Sequence, residues 1–220
     1  MSRLSAITTG SCFLCISLTA LAQGPTGVQV GKNLPGSFQP YNVNAAVPLA
    51  EEPEAPKADG PKLPKYTSKG KFHCLVTEYD LDPVVMLVAR GLEDNAALGD
   101  LLTKLDAALD RNKLNRLRCF VVFQADDLNV VEDDEKRNEM SKKLEKLVLD
   151  AKLTRVVVTL AGKDDLAKYK LEPKALTAIL YNRLRVEAIH PIDKDKLDVI
   201  ASPEVKAILT DVGKKLGATR

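Results

Sequence analysis

Residues 84–88 read Val-Val-Met-Leu-Val, a short and continuous apolar run in which β-branched side chains predominate. Such a run is typical of a strand that is buried on both faces of a parallel sheet. Two further runs of this kind stand at residues 119–123 and 156–160. Because each pair of runs is separated by enough chain for a helix, the sequence predicts two β-α-β units with parallel strands and right-handed crossovers.

The two connecting segments both predict amphipathic helices. In the first, apolar side chains recur at helical spacing between Leu98 and Leu109, and either Asp94 or Asn95 is available as the N-cap. The second helix is highly charged and has an acidic start at residues 133–135, which complements the positive end of the helix dipole.

The C-terminal part of the chain predicts a hairpin and a last helix. Two strand-like runs flank Asn182-Arg183, which is interpreted as the turn. The last helix is expected to begin with Ser202 as N-cap and Pro203 in its first turn. The complete order is β-α-β-α-β-β-α. It predicts an α/β fold, a three-layer α/β/α sandwich on a mixed sheet in which the hairpin forms an antiparallel edge.

The first residues of the chain are typical of a secretory signal. Arg3 precedes an apolar run at residues 12–22, which ends in an Ala-x-Ala cleavage site. Residues 1–22 are therefore interpreted as a signal peptide and Gln23 as the first residue of the mature chain. The run is short for a bilayer span, and an uncleaved membrane anchor is the alternative. We expect an exported protein, periplasmic or extracellular, with no membrane span after cleavage.

The rest of the chain divides into an N-terminal lead and loop at residues 23–68 and a folded domain at residues 69–220. Five prolines stand among alanine, glutamate and lysine at residues 44–68. This composition cannot bury a core, so it predicts a solvated surface loop or linker.

Composition excludes some classes of function. The chain has a formal net charge of +2 and no tryptophan, whereas a nucleic-acid-binding protein usually presents a basic face and stacking aromatic side chains. We therefore expect no nucleic-acid partner. The two histidines, His73 and His190, lie far apart in the sequence, which argues against a metal site. The sequence contains no glycine-rich phosphate-binding loop, so we expect no cofactor.

Several short motifs in a shared order carry a resemblance to a known family. Residues 30–38 resemble the lead of exported redoxins, and residues 69–71 resemble the Lys-Gly-Lys that introduces their first core strand. Residues 165–171 and 176–181 resemble the redoxin run A-x-x-Y-x-V followed by P-T-x-F-L-I. The similarity covers about residues 28–217. The chain thus resembles the thioredoxin-like superfamily, in particular its redoxin branch of alkyl hydroperoxide reductase-like and thiol-specific antioxidant-like proteins.

The chain departs from this family at the place where the family carries its chemistry. In redoxins the first core strand leads to a cysteine motif at the start of the next helix, but the matching residues 88–95 contain no cysteine. The family's cis-proline position falls at Ala175 or Leu176, and Pro173 is the nearest proline. The resemblance therefore implies a thioredoxin-like fold without the usual dithiol site.

The mature chain retains two cysteines, of which Cys74 is the candidate reactive thiol. Cys74 and Thr77 have the spacing of a C-x-x-C motif with threonine in the second place. A threonine hydroxyl can donate a hydrogen bond to a thiolate, and a protonated His73 could stabilise one. The alternative is an ordinary, partly buried cysteine. Cys119 lies inside an apolar strand and is expected to be inert, while a disulfide between the two stays open.

A second register was possible for the first core strand. It would make residues 72–76 the strand, begin a helix at Pro83, and bring Cys74 closer to the usual site. The β-branched pair at residues 84–85 and the glycine at position 91 argue against such a helix.

Two functions are compatible with these observations. The first is a binding or accessory module of the cell envelope, which uses the old active-site edge or the proline-rich loop to bind another envelope protein. The second is a thiol-dependent oxidoreductase or peroxidase that works through Cys74 alone, with Thr77 as its partner. Fold alone does not decide between them, and the sequence leaves the oligomeric state open.

Overall fold

The structure is a computed structural model. It describes residues 27–46, 67–111, 116–127, 129–197 and 202–217. The predicted signal peptide at residues 1–22 lies outside the described residues, as does most of the proline-rich segment.

A mixed sheet forms the centre of the domain. In the described part of the chain its six strands are β1 (Tyr41–Asn42), β2 (Pro83–Ala89), β3 (Arg118–Ala125), β4 (Val156–Gly162), β5 (Leu176–Asn182) and β6 (Arg185–Ile192). Their order is β1-β4-β3-β2-β5-β6. Strands β2, β3 and β4 are parallel, whereas β1, β5 and β6 each run antiparallel to their neighbours. The three apolar runs are thus the parallel strands, as predicted.

The helices follow the predicted order with additions. Those described are α1 (Leu75–Glu78), α2 (Ala96–Arg111), α3 (Asn129–Glu132), α4 (Asp134–Asp150), α5 (Lys194–Leu197) and α6 (Pro203–Gly217), and a 3₁₀ helix spans Asp164–Tyr169. The three long helices α2, α4 and α6 are the predicted ones. The short helices α1, α3 and α5 and the strand β1 were not predicted, because a single turn or a two-residue strand leaves no periodic pattern in a sequence.

Side-chain caps fix where the three long helices begin. The Asn95 side chain accepts a hydrogen bond from the Leu98 amide at 2.8 Å. Asp133 accepts one from the amide of Glu135 at 2.8 Å, and Ser202 accepts one from the amide of Val205 at 3.2 Å. Each bond satisfies a backbone donor that has no partner inside its helix. The predicted starts are confirmed, with Asn95 chosen over Asp94.

Two apolar clusters lie on opposite faces of the sheet and make three layers. On one face α2, α4 and α6 pack through side chains such as Leu102, Leu144 and Ile208. On the other face the N-terminal lead, α1 and the 3₁₀ helix supply Phe38 and Leu75 among others. The predicted sandwich is confirmed. Both crossover helices lie on the same face because the order β2-β3-β4 continues in one direction and each crossover is right-handed.

The lead is fastened to the sheet through residues that precede the predicted domain. The Leu34 amide donates to the Leu184 carbonyl at 2.8 Å. Asn44, which we expected to belong to the solvated segment, is buried. Its side-chain amide donates to the Val156 carbonyl at 3.1 Å and accepts from the Val158 amide at 2.6 Å. Asn44 thus satisfies the free edge of β4 as a neighbouring strand would.

The hairpin turn lies one residue later than predicted. Asn182 pairs with Arg185 in the ladder, so Arg183 and Leu184 form the turn. Both have positive φ, 49° and 62°, which is the geometry of a two-residue hairpin turn whose twist matches that of its strands. The physical reason for this register is tertiary: Leu184 packs on the second apolar cluster and its carbonyl is held by the lead.

Candidate functional site

The turn between β2 and α2 occupies the place where the resemblance would put the dithiol. It comprises residues 90–95 and contains no cysteine. Gly91 has a φ of 59°, a left-handed conformation that glycine adopts without strain. Asn95 ends the turn as the cap of α2.

Arg90 fills this turn with a polar bridge. Its guanidinium Nε donates to Gln124 Oε1 at the end of β3. Its Nη1 donates to the carbonyls of Glu172 and Lys174, at 3.1 Å and 2.8 Å, in the loop before β5. The Arg90 amide also donates to the Ala175 carbonyl at 2.9 Å. A single arginine therefore ties the ends of two parallel strands to the loop that faces them.

The Arg90 side chain is only partly exposed to solvent. Burial lowers the pKa of its guanidinium, and the nearby charge of Asp126 opposes that shift. Gln124 is buried. Its side-chain amide donates to the Lys163 carbonyl at 3.4 Å, so the hydrogen bonds that begin at Arg90 extend to the end of β4. Sequence reasoning singled out the missing cysteine here but not Arg90. The one signal was a charged residue directly after a strand that is buried on both faces.

The loop opposite the turn carries the residues considered for the family's cis-proline. Pro173 is exposed and Leu176 begins β5. None of the peptide bonds in the described residues is cis. The backbone that faces the turn is held by Arg90, through the carbonyls of Glu172 and Lys174.

The structure brings Cys74 and Thr77 together, but by a helical turn. Cys74 is the N-cap of α1 and is half-buried. Its Sγ accepts hydrogen bonds from the Thr77 amide at 3.4 Å and from Thr77 Oγ1 at 3.1 Å. The second register is wrong, because residues 75–78 are helical and Pro83 begins a strand.

Buried tyrosines and one ion pair surround Cys74. Burial raises the pKa of Tyr169 and of Tyr181, and the Cys74 thiol adds to both shifts. The Tyr169 hydroxyl donates to the Gly36 carbonyl at 2.6 Å. In the described part of the chain the Tyr181 hydroxyl is buried without a hydrogen-bond partner. His73 Nε2 lies 2.7 Å from Glu78 Oε2, an ion pair when the histidine is protonated.

Cys119 is buried, as predicted from its strand. It is 1% exposed, and burial raises the pKa of its thiol. Cys74 and Cys119, the two cysteines among the described residues, are free thiols. Cys119 belongs to the cluster under α2, α4 and α6, whereas Cys74 packs against the cluster on the opposite face. Among the described residues, no hydrogen bond or ion pair joins Cys74 to the turn at residues 90–95.

A groove opens beside the turn, between the start of α2 and the end of α4. Its volume is about 360 Å³. Its lining includes Glu93, Asp94 and Asn95 of the turn and Lys146 and Asp150 of α4. The edge of the domain at the Arg90 turn therefore carries a concave surface with several carboxylates.

The described residues contain no cluster of three or more histidine, cysteine, aspartate or glutamate side chains arranged to hold a metal ion. No helix among them has the length and apolar character needed to cross a membrane.

Among known proteins, solved structures share the fold of this chain. No protein-family model matches the chain, and no curated protein matches it significantly. Among solved structures, a hypothetical protein from Sinorhizobium meliloti superimposes with a TM-score of 0.55 and 10% identity, over 88% of this chain and 87% of its own. An uncharacterised conserved protein from Geobacillus kaustophilus gives 0.53 and 11%, over 86% and 83%.

A third likeness has a named activity. A protein assigned as a protein disulfide isomerase from Bacteroides thetaiotaomicron superimposes with a TM-score of 0.52 and 12% identity, over 86% of this chain and 91% of its own. At such identities the likeness concerns the fold. Together with the strand order and the two β-α-β units, it shows that this chain has a thioredoxin-like fold.

Proposed function

We propose that this protein is an exported thioredoxin-fold module that binds or assists another protein of the cell envelope and performs no dithiol–disulfide exchange at the family's usual site. The likeness to solved structures supports the fold in this proposal. The proposed loss of exchange rests on residues of this chain.

The observation that carries the proposal is the Arg90 bridge. Exchange at a thioredoxin site needs an exposed thiolate and a resolving thiol at the strand-to-helix turn. Here the turn presents a guanidinium that is already bonded to Gln124, Glu172 and Lys174. The carboxylates of Glu93 and Asp94 follow, and negative charges of this kind disfavour a neighbouring thiolate. The turn is organised as a structural junction.

An assay of disulfide reduction tests the loss of exchange. The mature chain, residues 23–220, is incubated with insulin and dithiothreitol, with a dithiol thioredoxin as positive control. We expect turbidity to develop at the rate of dithiothreitol alone. Turnover that persists in the Cys74→Ser variant would place exchange elsewhere and contradict the proposal outright.

Export has its own test. The signal at residues 1–22 supports it, and Edman or mass-spectrometric sequencing of the protein from its native host should find Gln23 as the first residue. An intact Met1 on protein from the cytoplasmic fraction would remove export from the proposal and leave the fold untouched.

A second candidate function is favoured by the contacts of Cys74. Its thiol sulfur already accepts two hydrogen bonds from Thr77, an arrangement that also stabilises a thiolate. A thiol-dependent oxidoreductase or peroxidase would act through Cys74 as a single thiol. Catalytic peroxide consumption by the wild-type chain, with dithiothreitol added to reduce the Cys74 sulfenic acid back to the thiol, lost in Cys74→Ser and retained in the control Cys119→Ser, would establish this function in place of the first. We expect no consumption above the rate of the Cys74→Ser variant.

A further inference from the structure

The groove beside the Arg90 turn has an apolar floor. Ala96 and Gly99 of α2 face Leu147 and Ala151 of α4 across it. Gly99 carries no side chain, and a Cβ placed there would already lie 3.6 Å from Leu147 Cδ1. The Leu147 side chain therefore reaches across to α2 at Gly99 and covers part of the bottom of the groove. The floor offers apolar contact to a small side chain or to the alkyl part of a long one.

The rim of the groove has an excess of negative charge. Four carboxylates line it, those of Glu93, Asp94, Asp100 and Asp150, together with a single lysine, Lys146. The hydrogen bond to Asp150 and the charge of that carboxylate raise the pKa of Lys146, with a smaller contribution from Asp94, so this one lysine is shared between two of the four carboxylates. The lining thus carries more negative than positive charge, in a chain whose formal net charge is +2.

The chemistry of floor and rim together selects one kind of occupant. Lysine and arginine side chains bury their alkyl stems on apolar surface while the charged end stays at a polar edge. Opposite charge across an interface accelerates encounter and fixes orientation. An acidic segment would meet like charges, and a purely apolar one would leave the carboxylates without compensation.

We propose that this groove is the docking surface for the partner of the proposed function, and that the partner presents an extended segment carrying a lysine or arginine beside a small apolar residue. The inference depends on the proposed binding role and adds to it the place and the charge of the contact. The helical walls of α2 and α4 set the place, and Asp94 and Asp100 contribute exposed carboxylates that, unlike Asp150, are not bonded to Lys146.

The test uses the mature chain and two defined peptides. One is acetyl-Gly-Ala-Lys-Ala-Arg-Ala-Gly-amide, and the other has glutamate in place of both basic residues. Binding is followed by chemical-shift changes in ¹⁵N-labelled protein. We expect saturable shifts for the basic peptide, confined to residues 93–103 and 146–151, and none for the acidic peptide. Since the rim is exposed, raising the salt concentration from about 50 mM to about 500 mM should weaken binding by about tenfold or more.

Matched variants separate the groove from general electrostatics. Reversing the rim in D94K/D100K should weaken binding of the basic peptide by at least about tenfold, which corresponds to about 1.4 kcal/mol. The control D80K/E139K makes the same change of net charge at exposed residues outside the groove and should bind like the wild type.

Three outcomes would overturn the inference: no saturable binding of the basic peptide, equal binding of the acidic one, or equal weakening by the control variant. Each leaves the insulin result unaffected. Failure of this inference is therefore distinguishable from failure of the proposed loss of exchange.

Discussion

The turn at Arg90 and the turn at Cys74 differ in what their polar groups are free to do. Arg90 stands where a dithiol would, but its guanidinium is bonded to Gln124 and to two loop carbonyls. Cys74 carries a half-buried thiol, yet it caps a four-residue helix outside that turn. The comparison shows that the sheet and its two apolar clusters form without a thiol at the β2–α2 turn, because the bonds of Arg90 tie that turn to its neighbours.

The largest expected difference is between the two cysteines themselves. Cys119 is 1% exposed and lies under three helices, so its alkylation requires opening of the core. Cys74 is half-buried at the surface of the opposite cluster. With a typical stability of 5 kcal/mol or more, we expect Cys74 to react on the order of a thousandfold faster at pH 7.5. The measurement is iodoacetamide labelling followed by peptide mass spectrometry. Equal rates would show that the core opens as readily as the surface.

The next effect concerns the Arg90 bridge. Arg90→Ala removes a half-buried donor and leaves buried Gln124 and the loop carbonyls without it, so we expect a loss of about 2–3 kcal/mol in the free energy of unfolding. Urea denaturation measures it. Arg183→Ala, at the exposed tip of the hairpin, is the control and should change stability by no more than about 0.5 kcal/mol. A similar small effect at Arg90 would mean that the bridge does not hold the turn.

Alkaline pH should probe the cluster beside Cys74. Burial raises the pKa of Tyr169 and Tyr181 above the ordinary value of 10, so both stay neutral in the folded state after they ionise in the unfolded chain. Their contribution is therefore complete below pH 10 and is lost as the pH rises further. At pH 11 the loss is about 1.4 kcal/mol for each tyrosine. Urea denaturation between pH 8 and pH 11 should show this decline, and each Tyr→Phe variant should flatten it.

The smallest expected effect is a difference in stability between the Tyr→Phe variants of Tyr169 and Tyr181 in that cluster. Tyr169→Phe removes the hydrogen bond to the Gly36 carbonyl and should cost about 1 kcal/mol at pH 7. Tyr181→Phe removes a buried hydroxyl that has no partner among the described residues, so it should be neutral or stabilising by up to about 1 kcal/mol. Thermal unfolding of both variants measures the contrast. If Tyr181→Phe destabilises instead, its hydroxyl has a partner in solution, and the Cys74 thiol is the first to test.

Local sequence patterns predicted the framework of the fold well. The β-branched runs became the parallel strands, and Asn95 and Ser202 cap their helices, because burial and capping act within a few residues. The contacts of Arg90 were not predictable in the same way. Its partners lie 34 to 84 positions away and meet it only after the sheet has formed. Asn44 was misjudged for the same reason: its two hydrogen bonds depend on an edge of β4 that the proline-rich composition around it does not reveal.

Cys74 and Thr77 lie between these extremes. The C-x-x-C-like spacing draws attention to the pair. Residues three positions apart have their side chains in contact only in a helical turn, whereas the apolar residues next to Cys74 are also compatible with a strand. A short helix can be recognised from its cap only when the cap is a common one, and a cysteine is not. The reactivity of Cys74 stays a prediction.

The fastening of the lead has a consequence for the order in which the chain folds. The two backbone groups that bond to Asn44 lie 112 and 114 positions later in the sequence. The Tyr169 hydroxyl, which donates to the Gly36 carbonyl, lies 133 positions after it. Contacts of such long sequence separation form late, because the intervening loop must close first. A chain that emerges with its N-terminus first therefore exposes the lead long before β4 exists. Until then the lead lacks the partners that hold it against the sheet, so the second apolar cluster is completed only when β4 and the 3₁₀ helix are in place.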